Sequence, residues 1–178
     1  MNFNLQGKTA IIGGSSKGLG RACAMALARE GVNIVLCGRN KETLLKTEKE
    51  IMSLGVQTLA VAADMSKADD NLRIVRETVD RFGGVDILVN NSGGPKPGTF
   101  REISEEDLDD AYNSVLKYNI RMIRLCLPYM EKNKWGRIVN ITSVTVKEPV
   151  PNMVLSNIFR VAVDSYAKTI SKELIANG

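Results

Sequence analysis

The sequence predicts a doubly wound α/β fold: five parallel strands in the order 3-2-1-4-5 with helices on both faces, three layers in all. Three observations predict it. Short, mostly apolar, β-rich runs recur along the chain, as strands covered on both faces should. Between them the apolar residues switch to helical spacing, which is the βαβ repeat of a parallel sheet with right-handed crossovers. The first run passes straight into a glycine-rich turn and then a helix.

The strand candidates are Thr9 to Ile12, Asn33 to Cys37, Thr58 to Val61, Val85 to Asn90 and Arg137 to Ile141. Helical spacing is carried by Leu19, Ala22, Cys23, Ala26 and Leu27, by Leu72, Val75 and Val79, and by Val115, Ile120, Ile123 and Leu127. Two long helices are expected, about Glu105 to Met130 and Leu155 to Ala176, the second closed by Asn177-Gly178. No repeat, low-complexity tract or linker divides the chain, so residues 1–178 are expected to form one domain.

Composition removes several classes of function. No stretch approaches the ~20 uninterrupted apolar residues of a membrane span, and MNFNLQGKTA lacks the layout of a secretory signal, so a cytoplasmic protein without a membrane partner is expected. Cys23, Cys37 and Cys126 are odd in number and set among apolar residues; they read as reduced core thiols, with neither a disulfide framework nor a metal site. The net charge of +4 is dispersed, with no basic run or interleaved aromatics to suggest nucleic acid. The chain has no histidine, which excludes mechanisms built on an imidazole base, shuttle or metal ligand.

The glycine-rich turn runs Gly13-Gly14-Ser15-Ser16-Lys17-Gly18-Leu19-Gly20. Glycine suits a turn that takes positive φ, lets backbone approach a diphosphate and packs a helix closely on a strand, while the helix N-terminus offers free N–H groups to the anion. In its strand-turn-helix context this is a Rossmann dinucleotide-binding turn, and Gly14, Ser15, Ser16, Lys17, Gly18, Leu19 and Gly20 are its cofactor-binding residues; an ordinary tight βα turn is the competing reading. The second strand ends in Cys37-Gly38-Arg39-Asn40, without the carboxylate that would accept from an NAD ribose. Arg39 and Lys17 suit a 2′-phosphate instead, which favours NADP(H) over NAD(H); a solvated loop cation and a surface lysine are the alternatives.

With those glycines, Asp64 and Met65 after strand three, Asn90-Asn91-Ser92-Gly93 after strand four and Ser143 after strand five, the chain resembles the short-chain dehydrogenase/reductase family. It looks most like the 3-oxoacyl-acyl-carrier-protein reductase branch. The resemblance implies that Asp64 hydrogen-bonds the adenine, with Met65 beside it, that Asn90 braces the central strands, and that Asn91, Ser92 and Gly93 line the path to the nicotinamide ribose. Asp64 as a helix N-cap and residues 90–93 as a plain turn remain the alternatives. It further implies that Ser143 orients a substrate carbonyl.

The family's Tyr-x-x-x-Lys is replaced. Thirteen positions beyond Ser143 stands Ser156, and four further on stands Arg160; Val115 occupies the place of the relay Asn. A serine hydroxyl titrates far above a phenol, and a guanidinium stays protonated, so neither takes over the acid–base roles directly. Ser143, Ser156 and Arg160 are the catalytic candidates, polarising a carbonyl while water delivers the proton. The chain is similar to a subgroup of reductase-like members that also lacks the usual tetrad, including its segment Val146-Lys147-Glu148-Pro149-Val150-Pro151. The resemblance also implies two further strands and a substrate lid beyond the last helix, outside this chain.

Three functions are compatible with these residues. The first is an NADP(H)-dependent reductase of a carbonyl or 3-oxoacyl thioester in fatty acid synthesis, assembled as a homo-oligomer through its long helices. The second is a sensor or silent subunit that holds the dinucleotide without turning it over. The third, a nucleotide-sugar enzyme on the same sheet, is disfavoured by the absence of a histidine, a metal cluster or a Walker lysine.

Overall fold

The computed structural model describes residues 3–178. Its strands are β1 (Thr9–Ile12), β2 (Asn33–Gly38), β3 (Thr58–Ala62), β4 (Ile87–Asn90) and β5 (Arg137–Asn140), in one parallel sheet of order β3-β2-β1-β4-β5. The expected strand order is the observed one. β4 starts later than the apolar run suggests, because Asp86 turns its carboxylate to accept from the Thr9 backbone N–H (2.9 Å) and from Lys8 Nζ (3.2 Å).

The helices are α1 (Gly18–Arg29), α2 (Lys41–Met52), α3 (Ala68–Phe82), α4 (Glu105–Ala111), α5 (Tyr118–Lys132) and α6 (Val154–Leu174). Alternation along the strands divides the core into two apolar layers. Ala10, Ile12, Ile34, Leu36 and Val89 face α1 and α2, where they meet Ala24, Ala28, Leu44 and Ile51. Ile11, Val35 and Leu88 face the other way and pack on Ile74 and Val75 of α3 and on Tyr118, Met122 and Cys126 of α5. Tyr166 and Ile170 of α6 join this second layer. Cys37 and Cys126 are buried thiols, as their apolar settings imply, and Cys23 is half-buried.

Local sequence sets the ends of the helices. Asn40 caps α2 by accepting from Thr43 N–H, and Ser104 and Asp107 form a reciprocal capping box at α4. Gly83 stops α3 at φ +81°, a conformation without steric cost only for glycine. The long helix expected from Glu105 to Met130 is interrupted: Tyr112–Lys117 forms a π-helical turn between α4 and α5. Beyond β5, Val144–Val146 forms a single 3-10 turn ahead of α6. No helix among the described residues is long and apolar enough to cross a membrane.

Candidate functional site

A cleft of about 440 Å³ opens beyond the carboxyl ends of the strands, where a doubly wound sheet places its ligand. Gly14, Ser16, Lys17 and Gly18 form its floor. The turn keeps its shape because the Ser15 backbone N–H donates to Cys37 O (3.0 Å), while Ser15 Oγ accepts from Cys37 N–H (2.9 Å). Thr47 Oγ1 of α2 donates to Ser16 O at 3.0 Å. From β4, Asn91 Nδ2 donates to Gly13 O (3.1 Å) and to Gly14 O (3.4 Å).

Two glycines of the turn have opposite surroundings. A Cβ on Gly20 would strike Gly14 O and come within 2.8 Å of both Gly13 O and Asn91 Nδ2, so α1 can approach the turn only without a side chain there. Gly18 has φ +58°, with nothing within 4 Å of where its Cβ would stand. It leaves the cleft open over the first turn of α1, whose N–H groups suit a diphosphate. The side chain of Leu19 is mostly exposed, and neither it, Ser15 nor Gly20 lines the cleft.

On one side of β1, the cleft ends at Gly38, Arg39 and Asp64. Lys17 and Arg39 are both exposed and, among the described residues, neither is in an ion pair. Asp64 Oδ1 accepts from Ser66 N–H (3.0 Å) and Ser66 Oγ (2.8 Å), while α3 starts only at Ala68 after Lys67, so the helix is not capped by this aspartate. Burial works against the charged carboxylate, but the Ser66 hydrogen bonds outweigh it, with Arg39 and Lys67 adding to them, and hold Asp64 below its ordinary range. Met65 lines the wall beside it.

On the other side of β1 the lining is Asn91, Ser92, Gly93, Gly94 and Ser114. Ser92 Oγ is buried there without a hydrogen-bond partner among the described residues, a polar atom that a bound ribose or amide would satisfy. Behind it, Asn90 Nδ2 donates to Asn140 Oδ1 (2.9 Å), which joins β4 to β5. Thus the open turn with Lys17 on it, Arg39 at the β2 end, and the orphaned Ser92 hydroxyl all fit a dinucleotide.

The three catalytic candidates lie beyond this end of the cleft and outside its lining. Ser143 Oγ accepts from Thr145 N–H (3.3 Å), which leaves its own proton free to donate. Ser156 is buried, its Oγ 3.1 Å from Thr145 Oγ1. Arg160, also buried, donates from Nη1 to Ile141 O (2.8 Å) and from Nη2 to Gly93 O (3.3 Å). Burial lowers its pKa, and the Tyr118 phenol opposes the shift. Next to them, Asn157 clamps the proline segment: Val150 N–H donates to its Oδ1 (3.1 Å) and its Nδ2 donates to Val150 O (3.0 Å).

Five lining residues escape the sequence reading: Gly38, Ala63, Ser66, Gly94 and Ser114. Gly38 is the last residue of β2, and Ala63, Ser66 and Gly94 stand within four residues past β3 or β4, a signal that was present in the sequence. Ser114 arrives by way of the π turn, which no periodicity announces.

The chain was compared with known proteins. Residues 8–178 match the family model described as short chain dehydrogenase. The 3-oxoacyl-[acyl-carrier-protein] reductase FabG of Staphylococcus epidermidis is 31% identical over 172 residues, 96% of this chain and 70% of that protein. The structure of L-sorbose reductase from Gluconobacter frateurii, complexed with NADPH and L-sorbose, superposes with a TM-score of 0.96 at 30% identity, covering 99% of this chain and 68% of that one. A 7α-hydroxysteroid dehydrogenase complexed with NADH and 7-oxo glycochenodeoxycholic acid gives a TM-score of 0.94 at 29% identity, over 99% of this chain and 69% of that one. With the fold, the glycine turn and the family match in agreement, the chain belongs to the short-chain dehydrogenase family.

Proposed function

We propose that the protein is an NADP(H)-dependent oxidoreductase that reduces a carbonyl compound, with 3-oxoacyl thioesters as the first class to test. The observation that carries the cofactor choice is the β2 end of the cleft, where Arg39 and, on the glycine turn that lines the same cleft, Lys17 make no ion pair among the described residues and no carboxylate follows the strand directly. Asp64 and Met65 take the adenine end, the turn from Gly14 to Gly20 takes the diphosphate, and Asn91, Ser92 and Gly93 hold the nicotinamide ribose. Bound there, the nicotinamide supplies the hydride. Ser143 donates its free hydroxyl proton in a hydrogen bond to the substrate carbonyl. Ser156 fixes Thr145, whose N–H in turn orients Ser143. Arg160 supports developing negative charge, and water delivers the proton.

A second reading, a protein that holds the dinucleotide without turnover, draws on one observation: Ser156 and Arg160 are both buried and engaged with the protein itself. Ile158 and Val161, exposed on α6, suit assembly as a homo-oligomer.

Titration of NADPH and NADH by fluorescence on the wild type and Arg39→Ala tests the cofactor assignment. NADPH affinity should fall on the order of tenfold, as loss of a charged hydrogen-bonding partner implies, and NADH affinity should hold. Equal losses would refute the 2′-phosphate site. Absorbance loss against ketones and 3-oxoacyl thioesters separates the two readings, since tight NADPH binding without turnover of any of them sinks the enzyme.

A further inference from the structure

Arg160 is 6% exposed, and its hydrogen-bonding partners are both backbone carbonyls, Ile141 O and Gly93 O. Carbonyl dipoles satisfy N–H donors but do not neutralise a charge. Among the described residues no carboxylate stands within ion-pair distance of the guanidinium. Buried cations are ordinarily paired, because desolvation of an isolated charge is costly. A lysine in this place could relieve that cost by losing its proton; a guanidinium cannot.

The position of the charge matters as much as its isolation. Gly93 and Ile141 follow β4 and β5, on the side of β1 opposite Arg39. The one carboxylate lining the cleft, Asp64, follows β3 at the far end. The β4 side of the cleft therefore has a permanent positive charge behind it and no lining acid to offset it.

We propose that Arg160 makes the site bind the reduced cofactor in preference to the oxidised one. The proposal rests on the NADP(H) reading above, with the nicotinamide at the β4 end. An oxidised nicotinamide ring carries a positive charge and a reduced one is neutral, so the two differ by one charge in the field of Arg160. At the effective permittivity of a protein interior, this is a discrimination on the order of tenfold in dissociation constant. The arginine thereby biases which cofactor state occupies the cleft, without handling a proton.

The test measures dissociation constants for NADPH and NADP+ by calorimetry on the full chain, as wild type, Arg160→Gln and Arg160→Lys. Glutamine keeps a donor for the carbonyls and removes the charge, while lysine keeps a charge that it can shed as pH rises. The wild type should prefer NADPH by about tenfold more than Arg160→Gln does, and Arg160→Lys should hold that preference only while protonated, losing it as pH rises. A glutamine variant with the wild-type ratio overturns the proposal. So does a wild type that binds the two states equally, a result that needs no variant to fold. Absence of binding by either nucleotide to the wild type would instead overturn the NADP(H) reading on which the proposal rests.

Discussion

Replacing Gly20 by Ala adds one methyl group, and the structure shows where it goes. The new Cβ meets Gly14 O, Gly13 O and Asn91 Nδ2, the first two being backbone atoms of the turn itself. Relief requires α1 to withdraw or the turn to open, and an opened turn also loses the Asn91 hydrogen bonds to Gly13 O and Gly14 O. Overpacking costs about 1–3 kcal/mol and each lost hydrogen bond about 1 kcal/mol, while alanine returns about 1 kcal/mol of helix propensity. The net expectation is a loss of roughly 2–4 kcal/mol, read as a lower urea midpoint with an unchanged slope. Gly18→Ala is the matched control. Its Cβ meets nothing within 4 Å, so the variant should lose only the roughly 1–2 kcal/mol that φ +58° imposes on a side chain. That methyl group instead projects over the cleft floor, and NADPH affinity should fall with little further change in stability. If Gly20→Ala lies within about 0.5 kcal/mol of the wild type, the close approach of α1 to the turn is not what the glycine secures.

Alkali should act on the buried thiols. Burial pushes the Cys37 thiol up from 9.0 to about 12 and raises Cys126 as well. The neutral thiol is the folded form, so the stabilisation is complete below pH 9 and is lost as pH rises through about 12, where unfolding releases the proton. Urea midpoints between pH 8 and 12 should decline faster in the wild type than in Cys37→Ala, and a parallel decline would contradict the assignment. At the proline segment, Asn157→Ala removes both hydrogen bonds to Val150 and should cost about 1–2 kcal/mol, with proteolysis between residues 146 and 151 rising above that of the wild type. An unchanged digestion pattern would show that Pro149 and Pro151 hold the segment unaided.

The sheet was legible because each strand is a short apolar run and each crossover shows helical spacing, while the order 3-2-1-4-5 follows from the dinucleotide-binding character of the first turn, since handedness alone also permits 2-1-3-4-5. The turn was legible because Gly14, Gly18 and Gly20 answer three separate steric demands at fixed spacing. What lay hidden depends on partners remote in sequence. Nothing near Ser156 announces that its hydroxyl lies beside Thr145, and nothing near Arg160 announces the carbonyls of Ile141 and Gly93. Asp64 stands two residues past β3, a place the sequence announces, yet the hydrogen bonds from Ser66 that orient it arise from the shape of the loop. The sequence reads as one helix from Glu105 to Met130 because the step of five from Val115 to Ile120, one more than an α-helical turn allows, is a single irregularity in an otherwise helical pattern.

That wide turn gives the helix a spare residue. Hydrogen bonds in Tyr112–Lys117 span i to i+5, one residue more than an α-helical ring encloses. Deleting one residue here would let the helix run on as an unbroken α-helix with its flanks still in phase, whereas straightening the turn at constant length would rotate everything before it by about 100° relative to α5. Ala111 and Leu108 now pack against Leu155, Phe159 and Val163 of α6, while Ser114 reaches the cleft. A helix straightened at constant length could keep one of these engagements and not both. The wide turn therefore acts as a phase setting between the α6 contact and the cleft wall, one that absorbs a residue without turning either face away.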